Sequence, residues 1–253
     1  MRIVFDGLNH PIDVAGRGIT VLQIKSKGLF ARICESMITL QGANAVEPFS
    51  VWDNDGCDVR PANALFVITS PFELPWKHKD FMGNIYTKFE KELLIDEELR
   101  RELQSLHLMY ESSIDKLGFQ LNADYRFGIE WSMSSYLKAF SYEVDISDTA
   151  TLLEKIISFV DLGADMNFDK ALVFINLKTF LSENDLMKLQ EHLVFLGLSV
   201  LLLENYDAPY LESCEKKYLV DQDFIEYVFD EKTECPSSSQ GRICSNGFGA
   251  VAF

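Results

Sequence analysis

The sequence is poor in positive charge: 23 Lys and Arg stand against 39 Asp and Glu, a formal net charge of -16. On bulk electrostatics that balance argues against nucleic acid or an anionic membrane as a partner. It does not exclude a local basic surface, above all one created by assembly of several subunits. No apolar run reaches the ~18 residues of a membrane span. The N-terminus lacks a basic segment followed by an apolar one, so no signal peptide is expected and the cytoplasm is the expected location. The five cysteines, Cys34, Cys57, Cys214, Cys235 and Cys244, contain no close pair at metal-ligand spacing. That indicates neither a zinc site nor a disulfide framework, and free thiols are expected.

Catalytic signatures are missing as well. The buried strand at 64–69 is followed by a loop and a long helix, where a phosphate-binding loop would stand. Yet Ser70-Pro-Phe-Glu-Leu-Pro-Trp-Lys-His78 holds no Gly-x-x-x-x-Gly-Lys-Ser/Thr. Its prolines have no N–H to give a phosphate, and Glu73 repels one. The later strand at 171–175 resembles a metal-binding strand but ends in Asn176, where an ionised Asp would hold magnesium. ATP is therefore not expected as a cofactor. No Gly-x-Ser-x-Gly or His-Glu-x-x-His occurs, and His10, His78, His107 and His192 sit apart, best read as solvated or packed side chains.

What is present is organised around the stretch from Lys170 to Glu204. Ala171 to Ile175 is continuously apolar, as suits a strand covered on both faces. Ser182 with Asp185 three residues on is a near-capping box, and Gly197 is a helix stop. A second apolar run, Val200 to Leu203, follows. Strand, helix, strand in that order is a crossover, and a parallel α/β sheet follows from it.

Before that crossover, Arg2–Phe5 and Pro11–Val14 read as a hairpin, Ile19–Ile24 as a more buried strand, and Gly28 to Leu40 as the first helix. Phe49–Trp52 and Cys57–Val59 flank Asp53-Asn-Asp-Gly56, a hairpin turn. From His78 to Gly118 the chain turns long, charged and helical. Phe81, Ile85, Phe89 and Leu93 line one helix, and Leu99, Leu103, Leu106, Met109 and Ile114 line a second that begins at about Asp96. Ile129 to Phe140 is expected as a third. Tyr142–Val144 reads as a short strand, Ser147 or Asp148 as the cap of the next helix, and Lys217–Val220 as a last strand or strand-like edge. From Cys235 on, Pro, Ser, Gly, Gln and Asn dominate and a flexible tail is expected.

Two sets of charged residues are candidates for binding. Lys77 and Lys79 beside His78, with Lys25, Lys27 and Arg32 around the first helix start, place positive charge on an acidic protein. Phosphate contact needs that charge and no particular spacing, although ordinary surface lysines read the same way. Asp115, Asp124 and Glu143 bracket the last part of the helical excursion, where converging carboxylates would suit a hard cation such as calcium. Glu97, Glu98, Arg100, Arg101 and Glu102 read as a solvated helix face, and Trp76 and Trp131 as core or subunit contacts.

The order of segments resembles the CRISPR-associated accessory proteins of type II-A systems, the second member of the Csn proteins, which serve spacer acquisition. The likeness is carried by Ile3-Val-Phe-Asp-Gly-Leu-Asn-His-Pro-Ile12, Leu65–Thr69, Leu121–Tyr125, Tyr136–Phe140, Lys170–Asp185, Val200–Glu204 and Lys217–Phe224. It is a distributed pattern over about residues 1–230 without one diagnostic motif. It implies an α/β fold: a P-loop-like parallel-sheet head at 1–76 and 142–230, an inserted α-helical leg at 77–141, and a tail at 231–253. It further implies a homotetrameric ring, not an enzyme, that encloses double-stranded DNA ends without sequence preference, is stabilised by calcium, and works with CRISPR integration proteins and the type II effector nuclease. Asp115, Asp124 and Glu143 stand where family acids stand, although Gln120, Asn122, Arg126 and Phe127 dilute that acidic segment. The basic candidates match no family motif and rest on position and charge. Two other readings stay open: an acidic protein-interaction scaffold that contacts no DNA, and a small-molecule phosphotransferase with an unconventional site.

Overall fold

The computed structural model describes residues 1–230 apart from 15, 17, 119, 124–125, 128–130, 206, 208–209 and 212–214. In chain order its elements are β1 (Arg2–Phe5), β2 (Ile12–Asp13), β3 (Gly18–Ile24), α1 (Lys27–Thr39), β4 (Phe49–Trp52), β5 (Asp58–Val59), α2 (Pro61–Ala64) and β6 (Leu65–Ile68). Then come α3 (Lys79–Ile95), α4 (Glu97–Gly118), α5 (Met133–Ala139), α6 (Leu152–Asp165), β7 (Ala171–Ile175), α7 (Glu183–Leu196), β8 (Ser199–Glu204), β9 (Glu215–Val220) and β10 (Glu226–Phe229). Two short 3-10 turns, Gly42–Asn44 and Leu177–Thr179, complete the set. The chain divides into two compact units, Met1–Pro75 with the chain from Ile146 on, and Trp76–Asp145.

The first unit holds both sheets. The larger runs β10-β9-β3-β8-β7-β6, parallel throughout except for the antiparallel β10. The smaller is antiparallel, in the order β2-β1-β4-β5. Strand side chains alternate between faces, and both faces of the large sheet are buried. Leu22, Ile24, Val173, Leu201 and Leu203 join Leu29, Ile33 and Met37 of α1 and Ile3, Phe5, Phe49 and Val51 of the small sheet in one core. The alternate set, Val21, Leu172, Phe174, Val200 and Leu202, is buried too. A parallel sheet covered on both sides accounts for strands that read as continuous apolar runs.

The crossover forms as its sequence directs. The Ser182 side chain accepts from the Asp185 N–H while Asp185 Oδ2 accepts from the Ser182 N–H, at 3.2 Å each. Together they start α7, and Gly197 at φ 73 ends it. Leu186, Leu189 and Leu193 form its buried face, each contributing about 1.5–3 kcal/mol by leaving water.

Three expectations fail for identifiable reasons. The cap of α6 is Thr151, not Ser147 or Asp148, because Thr151 and Glu154 make a complete capping box; Ser147 instead closes a turn onto Thr149. Tyr142–Val144 is no strand: the Tyr142 N–H donates to Leu137 O at 2.9 Å and its ring packs edge-on to Phe89. β9 is not an edge, since β10 pairs along its outer side.

In the second unit, α3 buries Phe81, Ile85 and Leu93, and α5 buries Leu137. α5 is shorter than expected, because the Ser132 side chain caps it by accepting from the Ser135 N–H at 3.1 Å. Asp96 separates α3 from α4, its carboxylate accepting from the Leu99 N–H. α4, 22 residues long, has no buried residue. No helix among the described residues is long and apolar enough to cross a membrane.

Candidate functional site

In an open parallel sheet, ligands gather beyond the carboxyl ends of the strands. Here the central first strand is β3, and β6 lies at the sheet's edge. The loop after Thr69, expected to stand where a phosphate-binding loop would, is therefore at the periphery. The central position belongs to the join of β3 to α1, and that join is only Lys25 and Ser26. Ser26 is consumed as the cap of α1. No glycine-rich loop lies between strand and helix to wrap a phosphate chain.

The neighbouring strand ends are tied to one another. Asn176, left-handed at φ 54, accepts from the Asn205 N–H at 3.1 Å, and Asn205 Nδ2 donates to Ile24 O at 2.7 Å. The Lys178 N–H donates to Glu204 Oε1 at 2.9 Å, and Lys178 Nζ bonds both carboxylate oxygens of Glu215, at 2.9 and 2.7 Å. The Lys178 and Glu215 side chains are 3% and 2% exposed, so this ion pair is out of water. Burial pushes the Glu204 carboxyl up to about 7, against the opposing effects of the Lys178 N–H and ammonium. Glu204 Oε2 is buried without a hydrogen-bond partner. Burial, aided by Glu204, also pushes the Cys34 thiol up to about 12. Burial and then the charge of Lys178 pull the Lys217 ammonium down. Lys178 and Glu215 neutralise each other within the protein.

The basic candidates fall in both units. In the first, Lys25 Nζ pairs with Asp207 at 3.2 Å and Arg32 Nε with Glu47 at 2.9 Å. The hydrogen bonds from Gln23 and Lys25 hold the Asp207 carboxyl below its usual range. Lys27, the first residue of α1, is exposed and makes no ion pair among the described residues. In the second unit, Lys77 pairs with Glu143. Lys79 is exposed and makes no ion pair among the described residues.

Sequence reasoning missed Lys138. With Lys79, Met82, Gly83, Tyr86, Thr87, Glu90 and Ser134 it lines a groove of about 410 Å³ between α3 and α5. Its Nζ lies 5.5 Å from the centre of the Tyr86 ring. The available signal was its place in the last turn of a short, mostly exposed helix. A second cavity, of about 670 Å³, lies on the outward face of the small sheet beside Arg2, Asp13 and Trp52.

Of the metal candidates, Asp115 is exposed on α4, Glu143 is committed to Lys77, and Asp124 lies outside the described residues. Among the described residues no three His, Cys, Asp or Glu side chains gather where they could hold a metal ion. The histidines are structural: His10 bonds Glu226, His78 caps α3, His107 pairs with Glu111 and stacks on Trp131, and His192 bonds Asp161.

Known proteins share this chain's sequence pattern and fold. The sequence model of the CRISPR-associated protein (Cas_Csn2) family matches residues 45–224. CRISPR-associated protein Csn2 of Enterococcus faecalis is 24% identical over 236 residues, which span 92% of this chain and all of that protein. The crystal structure of Stu0660 of Streptococcus thermophilus superposes with a TM-score of 0.58 at 13% identity, covering 87% of this chain and 74% of that one. The structural likeness concerns the fold alone.

Proposed function

Because this chain belongs to the Cas_Csn2 family of CRISPR-associated proteins, we propose that it serves spacer acquisition as a non-catalytic binder of double-stranded DNA ends. In this reading four copies form a ring, a duplex end threads its channel, and lysines and arginines displace counterions from the phosphates. The complex then works beside the integration proteins and the effector nuclease.

The carrying observation is the two-residue join from β3 to α1 with its neighbouring strand ends tied by Asn176, Asn205 and Lys178. A sheet whose ligand edge is occupied by its own side chains acts as a scaffold, a P-loop-like head without a phosphate loop. Binding is left to surface cations, and Lys27 and Lys79 are open to it. The net charge of -16 does not oppose this, because only channel-facing residues need be basic.

Calcium is a separate part of the proposal. A calcium ion takes six to eight oxygens, and among the described residues no three His, Cys, Asp or Glu side chains gather to begin such a shell. Asp124, one of the candidate ligands, lies outside the described residues.

The test is a gel shift of the full chain on linear and covalently closed circular duplex over a salt series, with calcium or chelator, beside a solution mass. Linear duplex should bind better than circles, with affinity falling steeply as salt rises. Equal binding of both forms, or insensitivity to salt, would refute threading. One observation favours a second reading, an acidic protein-interaction scaffold: Leu99, Leu106, Tyr110, Ile114 and Leu117 of α4 are all exposed. Absence of duplex binding at low salt would select it.

A further inference from the structure

Gly83 is the fifth residue of the 17-residue α3, a position where glycine lowers helix stability relative to alanine because it gives up more backbone freedom on folding. Among the described residues nothing requires it. Its φ is not positive, and beyond its chain neighbours and its own helix backbone no heavy atom lies within 4 Å of where a Cβ would stand. The missing side chain leaves open the floor of the α3–α5 groove.

That groove carries two lysines and one carboxylate, Glu90. Neither Lys79 nor Lys138 has a carboxylate partner among the described residues, and Tyr86 holds Lys138 by its ring face, which orients the cation without neutralising it. Ser134 adds a hydroxyl. Met82 and Tyr86 supply apolar surface beside the two ammonium groups. The lining suits an anionic chain that comes close by its backbone.

We propose that this groove seats a phosphodiester group of the DNA backbone, with Lys79 and Lys138 supplying charge and Gly83 the close approach. This rests on the DNA-binding reading above and assigns contacts that carry no sequence preference.

The test measures binding of a fluorescent linear duplex over a salt series, using full-length wild type, the Lys79→Ala/Lys138→Ala double variant, Gly83→Glu and Gly83→Ala. The slope of log affinity against log salt should flatten by about 0.9 for each lysine removed. Gly83→Glu should lose about tenfold or more in affinity through like-charge repulsion while melting no lower than wild type, since Glu is the better helix former. Gly83→Ala should melt higher and bind duplex more weakly than wild type, because its Cβ holds the backbone off. If wild type binds duplex and the double variant and Gly83→Glu bind equally well, the groove assignment is wrong and the DNA reading stands. If wild type binds no duplex, both fall. Tripolyphosphate and an acidic peptide, each titrated in place of duplex, separate the remaining sources. Binding of either that the double variant loses, with duplex binding untouched, would overturn the assignment to backbone.

Discussion

Lys178 and Lys79 show how differently the two units place a cation. In the sheet-bearing unit, Lys178 is buried against both oxygens of Glu215, beside a buried Glu204. In the helical unit, Lys79 is exposed at the rim of a groove, and no carboxylate among the described residues answers it. Inward charges hold strands together and have little left to offer a ligand. Outward, unpaired charges contribute little to stability and are free for a partner. Structure and binding should therefore separate cleanly by mutation.

The strongest way to break this contrast is to delete a partner from each kind of pair. Lys178→Met strands the Glu215 carboxylate inside the protein, and losing one member of a buried pair costs about 3–5 kcal/mol. Lys77→Met removes the partner of Glu143, where both side chains are about half exposed or more; exposed pairs of that kind contribute about 0–1 kcal/mol. Urea denaturation of the full chain measures both. Similar losses for the two variants would erase the distinction.

Next in size is the proton on Glu204. Its carboxyl titrates at about 7 in the folded protein against 4.5 for the ordinary group, so the folded state binds a proton that the unfolded state has released. The stabilisation is complete below about pH 4.5, is lost as pH rises through 7, and has an upper bound of about 3 kcal/mol. The wild type should melt progressively lower between pH 5 and 7.5, and Glu204→Gln, which stays neutral, should show a flatter profile there. Parallel profiles would place the titration elsewhere.

How much of this was legible in the sequence follows from how local each signal is. The Ser182–Asp185 box and the Gly197 stop span a few residues, and the crossover reads directly from them. Thr151 and Glu154 were equally local, and only the nearer-looking Ser147 and Asp148 hid them. β9 was blurred because Glu215, Lys216 and Lys217 look like solvent-facing residues; Glu215 and Lys217 are buried, and the Lys178 that pairs with Glu215 lies 37 residues earlier. The position of a would-be phosphate loop is hidden for the same reason, since strand order is set by pairing between distant segments. The basic candidates rest on position and charge, neither of which reveals that Lys25 meets Asp207 from 182 residues away.

That last pair gives the smallest and most discriminating prediction. Lys25 and Lys27 stand two residues apart at the start of the same helix, yet Lys25 is paired to an Asp207 carboxylate that Gln23 also holds at 3.1 Å, and Lys27 is not paired among the described residues. A lysine already neutralised contributes little counterion release when a phosphate arrives, because it must first give up its carboxylate. If α1 begins on the DNA-facing surface, Lys27→Ala should flatten the salt slope of duplex binding by about 0.9, and Lys25→Ala should leave it close to wild type. Equal flattening by both would mean that Asp207 releases Lys25 on binding. No change from either would move the contact surface away from the β3–α1 join and leave it with the helical unit.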